Sequence, residues 1–262
     1  MRLLLASFVL ILSGLMFGCA TRVEVAETDP AVVARLMDGR PFALGGVVAA
    51  AHLDGRLTDE DATAADQALY RAFLSERPDL TVLPVPAVEG RLADGTLAGL
   101  EAAFARRGRL LPGELVPHAP AFEGGAFLTM VQITSDNVRT ILPGERSGLP
   151  PDRGGAEGVP EEQEDWTRTV LTEREIGTAI RVFDVTDGAL VWEATATTRD
   201  RQRYQYEDAI GDDTAVYVRD RLRQADELQT LSRGGDALQV PDLIDLLENA
   251  LVELVRRLPG GS

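Results

Sequence analysis

The 262-residue chain has one cysteine, two histidines and no lysine. A single thiol excludes an intrachain disulfide. His52 and His118 have no second histidine or cysteine within helical or hairpin spacing, so no recognisable metal-ligand set is present. His52 closes an apolar run before a turn and His118 lies between Pro117 and Pro120; both read as structural or surface residues. Without lysine there is no phosphate-cradling glycine loop of the Gly-Lys type. Ser75, Ser135, Ser147, Ser232 and Ser262 all lack a Gly-x-Ser-x-Gly setting. No cofactor motif is found. Aromatic residues make up only 5% of the chain, so a core must come mainly from Ala, Leu and Val. Acids outnumber bases 42 to 26, giving a formal charge of −16. That argues against nucleic-acid binding, which requires a basic face. It also argues against electrostatic attachment to anionic lipid.

The first eighteen residues, MRLLLASFVLILSGLMFG, hold one positive charge at Arg2, an apolar stretch from Leu3 to Leu12, and small residues at Ser13 and Gly14. This is the pattern of a secretory leader. Gly18-Cys19 resembles the cleavage and lipidation site of bacterial lipoproteins. Met16 replaces the usual leucine there, and Phe17 is bulkier than the usual small residue. An uncleaved anchor is the other reading, but a spanning helix needs roughly 20 apolar residues, and Ser13 and Gly14 interrupt Leu3 to Ala20. Cleavage would remove Arg2's charge and leave the mature chain at −17. Acyl chains on Cys19 must then supply the membrane affinity. Ala20 rather than Asp after the cysteine favours the outer membrane by resemblance to enterobacterial sorting rules.

Residues 19–41 are polar and weakly patterned, and are expected to be a lipidated tether, with a short helix around Pro30 to Met37. Residues 42–262 are expected to form one periplasmic domain. Ala43 to Ala51 reads as a buried strand. Thr58 and the acids behind it start a helix, with Ala62, Ala65, Leu69 and Phe73 on one face. TVLPVPAV at 81–88 is a second strand that Pro84 and Pro86 shorten. Thr96 to Arg107 is a helix with Leu97, Leu100 and Phe104 as its stripe. Residues 109–120 are a candidate short strand. Residues 126–135 alternate with both faces apolar, as in a strand covered on both sides. Residues 142–168, rich in Pro, Gly and acid, read as an exposed loop. Strands at 175–185 and 189–198 flank Thr186-Asp187-Gly188, a turn. Residues 199–238 are ambiguous between continued strand and helix. Pro241-Asp242 opens an amphipathic helix striped by Leu243, Leu247, Leu251, Leu254 and Leu258. The order is β-α-β-α-β-β-β-α, an α/β (α+β) fold with a mixed sheet, packed helices and a C-terminal amphipathic helix.

That order behind a lipoprotein leader resembles the periplasmic domain shared by the curli-secretion channel lipoprotein and the lipoprotein activators of penicillin-binding proteins. Val182, Phe183, Asp184, Asp187, Gly188, Val191 and Trp192 carry the likeness, through a hairpin of the form "rvvD…tGevvW". The resemblance implies a lipid-anchored outer-membrane protein whose domain faces the periplasm and binds an envelope partner in cell-wall synthesis or secretion. It departs from the channel members, whose membrane hairpins need about 9–11 residues of alternating character. Residues 142–168 hold no such run, and RDRQRYQYED is too charged for a lipid face.

Three clusters invite chemistry. Glu161, Glu162, Glu164 and Asp165 lack the spacing and turn glycine of a calcium loop. Glu175 and Glu193, if facing each other near the hairpin, would imitate a glycosidase pair. Trp166 is a candidate partner-binding anchor, or else pins its loop to the domain; Trp192 reads as core. The expectation is a non-catalytic, lipid-anchored binder with no metal or cofactor. The alternatives are an envelope hydrolase using paired carboxylates, and a subunit of an oligomeric secretion assembly.

Overall fold

The computed structural model describes residues 20–26, 34–36, 38–123, 125–141, 167–207 and 240–260. Its order is β1 (Ala20–Val25), β2 (Phe42–Ala49), α1 (Asp59–Glu76), β3 (Val82–Leu83), α2 (Val85–Glu89), α3 (Thr96–Arg107), α4 (Pro112–Leu115), β4 (Phe127–Ile141), β5 (Thr167–Asp184), β6 (Leu190–Glu207) and α5 (Leu243–Arg256). The strands form one sheet in the order β1-β6-β5-β4-β2-β3. β2 runs parallel to both β3 and β4, while β1 runs antiparallel to β6. The sheet is mixed and the fold is α+β, as the order of elements implied.

Contacts divide the chain into two units. One holds Met1–Asn137, Glu175–Arg199 and Asp242–Ser262; the other holds Val138–Arg174 and Asp200–Pro241. In the first unit β2 and β4 are covered on both faces, while Thr195 and Thr197 leave one face of β6 exposed. Phe42, Leu44, Val47, Phe127, Val131, Ile133 and Trp192 pack with α1 and α5. Ala43, Leu128, Met130 and Phe183 pack with Val88 of α2, Leu100 and Phe104 of α3, and Leu115 of α4. Successive residues of β4 thus enter opposite layers, which is why both of its faces are apolar. In the second unit the described residues are mainly strand ends. Glu173, 2% exposed, pairs there with Arg201 at 2.5 Å and Arg139 at 3.4 Å.

The helices start where their capping chemistry places them. Thr58 accepts from the Asp61 N–H while the Asp61 carboxylate accepts from the Thr58 N–H, closing a capping box at α1. Asp242 accepts from the Ile244 and Asp245 N–H groups at α5. α5 buries Leu243, Leu246, Leu247, Ala250, Leu251, Leu254 and Val255. Arg71–Glu248 and Arg256–Glu76 (2.8 Å) link it to α1. Arg77, just past α1 and only 2% exposed, donates to the carbonyls of Leu258 and Pro259 beyond α5, both at 2.9 Å.

Several expectations need correction. Residues 20–25, read as tether, form the outermost strand: Thr21 and Val23 are half-buried against β6, with Thr21 Oγ1 3.2 Å from Thr198 Oγ1. At 81–88 only Val82–Leu83 is strand, because Pro84 and Pro86 suit the start of a helix and α2 follows at once. Residues 109–120 hold α4 and a 3₁₀ turn, Val116–Ala121, instead of a strand. His52 lies in a second 3₁₀ turn, Ala51–Leu53, beyond the end of β2. β5 and β6 reach further than expected, each 18 residues long, so RDRQRYQYE continues a strand. Cys19, Trp166, the acids at 161–165 and the bulk of the 142–168 loop lie outside the described residues.

Candidate functional site

The turn that carries the family likeness is built on a buried acid. Asp184 is 1% exposed and ends β5. Its Oδ2 accepts from Arg35 Nη2 at 2.5 Å and Arg40 Nη1 at 2.9 Å, and its Oδ1 from the Thr186 N–H at 2.9 Å. Burial alone would push its pKa up. The Thr186 N–H and the Arg40 guanidinium outweigh that and hold the carboxyl below its ordinary range. Asp187 takes the other contact of Arg35 at 2.8 Å, and Asp38 holds Arg40 at 2.7 Å. Arg40 also lies over the Phe127 ring, 4.2 Å from its centroid. Gly188 has φ +71°, and a Cβ there would stand 2.4 Å from Pro112 Cα, so only glycine fits this crossing. Trp192 is core, as expected, at 2% exposed, and its indole N–H has no partner among the described residues. Asp184, Asp187 and Gly188 thus work as a structural clasp that binds the residue 35–40 segment to the hairpin.

Glu175 and Glu193 do not meet. Register places an arginine opposite each: Arg199 pairs with Glu175, and Arg181 reaches Glu193 at 2.8 Å. Arg181 stands six residues along β5 from Glu175, about 20 Å of strand. A carboxylate pair working on a glycosidic bond sits about 5–9.5 Å apart. Antiparallel pairing turned the chance of two acids in one hairpin into two cross-strand ion pairs.

The acids that do meet were not found by motif. Asp66 lies on α1 and Glu101 on α3, and both reach Gly46 of β2. Leu44 pairs with Thr129 but Val47 with Val131, so Gly45-Gly46 carries one extra residue, a β-bulge. Gly46 has φ +99°; a Cβ on it would meet Glu101 Oε1 at 2.9 Å and Asp66 Oδ1 at 3.4 Å. Asp66 Oδ1 accepts the Val47 N–H at 2.8 Å. Burial pushes Asp66 up to about 6, and burial together with the charges of Asp66 and Glu89 pushes Glu101 up to about 7. The signal was present as the Gly45-Gly46 pair inside a strand pattern, which marks a bulge. The two acids, 35 residues apart on separate helices, gave none. His52 is exposed and His118 half-buried. No group of three or more His, Cys, Asp or Glu suited to a metal occurs among the described residues.

The N-terminal strand has its own geometry. β1 pairs with β6 from Ala20↔Arg199 to Val25↔Ala194. One edge of β1 is therefore taken by β6, and it ends the sheet on the other. No described helix is long and apolar enough to cross a membrane.

No family model matches the chain. No curated protein matches it either. Among solved structures it is similar to a PelC dodecamer from Paraburkholderia phytofirmans, at 10% identity over 92% of this chain and 99% of that one, with a TM-score of 0.33. It is also similar to lipoprotein GNA1162 from Neisseria meningitidis, at 13% identity over 72% of this chain and 99% of that one, with a TM-score of 0.31. Likeness at that level carries no functional assignment.

Proposed function

We propose that this chain is an outer-membrane lipoprotein, held by acyl chains on Cys19, whose α+β domain faces the periplasm and binds an envelope protein without catalysis. The observation that carries the reading is the pairing of β1 with β6 directly after the leader pattern. The leader pattern ends at Gly18, and by Ala20 the chain is already paired with Arg199. A cut before Cys19 would remove the leader and spare every residue of β1. The ion pairing of Glu175 and Glu193 supports binding over hydrolysis, because each carboxylate is engaged by an arginine. The process served would be cell-wall synthesis or secretion, and Trp166 remains the candidate anchor for the partner. Replacing Cys19 with Ser tests the attachment. The variant should move from the membrane to the soluble fraction and lose its acyl mass; unmodified protein retained in the membrane would overturn the lipid anchor.

A second reading has one observation in its favour. β1 closes the sheet with an outward edge that no described strand covers, and such an edge is a template for pairing with another chain. On that reading the domain is a subunit of an oligomeric assembly. Light scattering on the Cys19→Ser protein separates the two, since a monomer supports the simple binder and a closed multimer supports the assembly.

A further inference from the structure

β3 contributes only two pairs to β2, Phe42↔Val82 and Ala43↔Leu83. Past Ala43, β2 has among the described residues a strand neighbour on one side alone, β4. A backbone donor on the other side needs a substitute partner. Asp66 supplies it, taking the Val47 N–H at 2.8 Å. Glu101 comes to the same point from the helix layer on the other face of the sheet, and Gly46, lacking a side chain, leaves both carboxylates room. Their nearest oxygens lie within roughly 6 Å of each other, close enough for each charge to disfavour the other.

What sets this pair apart among the described residues is its lack of cations. Asp184, Glu173, Glu175 and Glu193 each face at least one arginine. Among the described residues neither Asp66 nor Glu101 pairs with one. β2 and β3 contain no ionisable residue, and β4 presents Thr129 and Val131 beside the bulge. Within a turn of Asp66 on α1 the sole ionisable group is the Tyr70 phenol; within a turn of Glu101 on α3 there is none. α2 offers Glu89, exposed and of the same sign.

We propose that Asp66 and Glu101 form a proton-operated latch that holds α1 and α3 together over the open edge of β2. With a proton on the pair, the carboxyls tolerate their shared half-buried site and Val47 stays capped. With both ionised, two like charges face each other without a cation, α3 loosens from the edge, and the β2 backbone there becomes exchangeable. The direction agrees with the raised proton affinity of both groups, whose midpoints near 6 and 7 put the change in the mildly acidic to neutral range. Folded carboxyls that hold protons above the unfolded range stabilise fully below about pH 4, and that stabilisation is lost as pH rises through 6 and 7.

The test uses the purified full-length protein. Thermal unfolding of the wild type should show a Tm lower at pH 8 than at pH 5 by about 3–6 °C. Glu101→Gln should keep less than half of that difference. Hydrogen exchange, corrected for its intrinsic pH dependence, should show Val47 and the α3 amides losing protection between pH 5 and 8 in the wild type and keeping it in Glu101→Gln. An equal Tm change in both proteins, or unchanged protection in the wild type, overturns the latch. Should Glu101→Gln fail to fold, carboxyl NMR of the wild type decides: a Glu101 midpoint near 7 supports the latch and one near 4.5 overturns it.

Discussion

Buried Asp184 and the half-buried Asp66–Glu101 pair are acids shifted in opposite directions, and the difference lies in their partners. Asp184 has two guanidinium groups and a backbone N–H, so its charged form is favoured despite 1% exposure. Its pKa is depressed, so its contribution to stability is present above the unfolded range near 4 and is lost as pH falls through the lower folded value. Asp184→Ala would leave Arg35 and Arg40 without their common acceptor. We expect a loss of about 2–4 kcal/mol in urea unfolding at pH 7, and a smaller difference between variant and wild type at pH 2 to 3. Asp184, Asp187 and Gly188 were legible because turn chemistry is local: an Asp-Gly turn between two apolar runs announces itself within six residues. Arg35 and Arg40 were not, because nothing in a polar stretch says that its arginines reach an acid nearly 150 residues away. The Asp66–Glu101 pair was silent for the same reason, and the two acids singled out instead, Glu175 and Glu193, were separated by a register that single-sequence reading does not supply.

Among the elements, α5 carries the strongest amphipathic stripe and the plainest consequence. Leu251 is fully buried in the core that α1, α5 and the sheet share, so Leu251→Ala should cost about 2–5 kcal/mol of unfolding free energy. Gly188→Ala combines a positive φ with a Cβ 2.4 Å from the Pro112 backbone. It should cost at least about 1–3 kcal/mol, seen as a lowered denaturation midpoint with the slope unchanged. Arg77 couples two elements through backbone alone, closing the end of α5 from the end of α1. Arg77→Ala should destabilise by about 2–4 kcal/mol. Arg77→Lys should recover only part of this, because one ammonium does not reproduce the planar fork that also grips Asp79. The helices were readable from the 3.6-residue stripe and their caps, and β4 from its alternation. The 81–88 segment misled because two prolines that shorten a strand also start a helix, and α2 took them in that second sense. β1 was missed because six exposed or half-buried residues look like tether until β6 lies beside them.

For the whole molecule, 42 acids against 26 arginines leave little attraction to an anionic bilayer. The Cys19→Ser protein should fail to float with vesicles of either neutral or anionic lipid, while the acylated form should float with both. Floating of the variant with anionic vesicles alone would point to a basic face that the composition conceals. The sequence of elements was legible because each switch of period, from 2 to 3.6 and back, has a turn or cap at its border. Division into two units was not, because β4, β5 and β6 each give residues to both and no linker composition marks the boundary. The pairing of Ala20 with Arg199 bears on reach. Consecutive Cα atoms are about 3.8 Å apart, so a lipid on Cys19 would be separated from the rigid sheet by a single peptide unit. With that anchor in place, a domain on so short a leash would sweep almost no volume and could not go out to meet a partner. A partner would have to come down to the bilayer surface, and ten flexible residues inserted between Cys19 and Ala20 should then change which partners the domain touches without changing how tightly it folds.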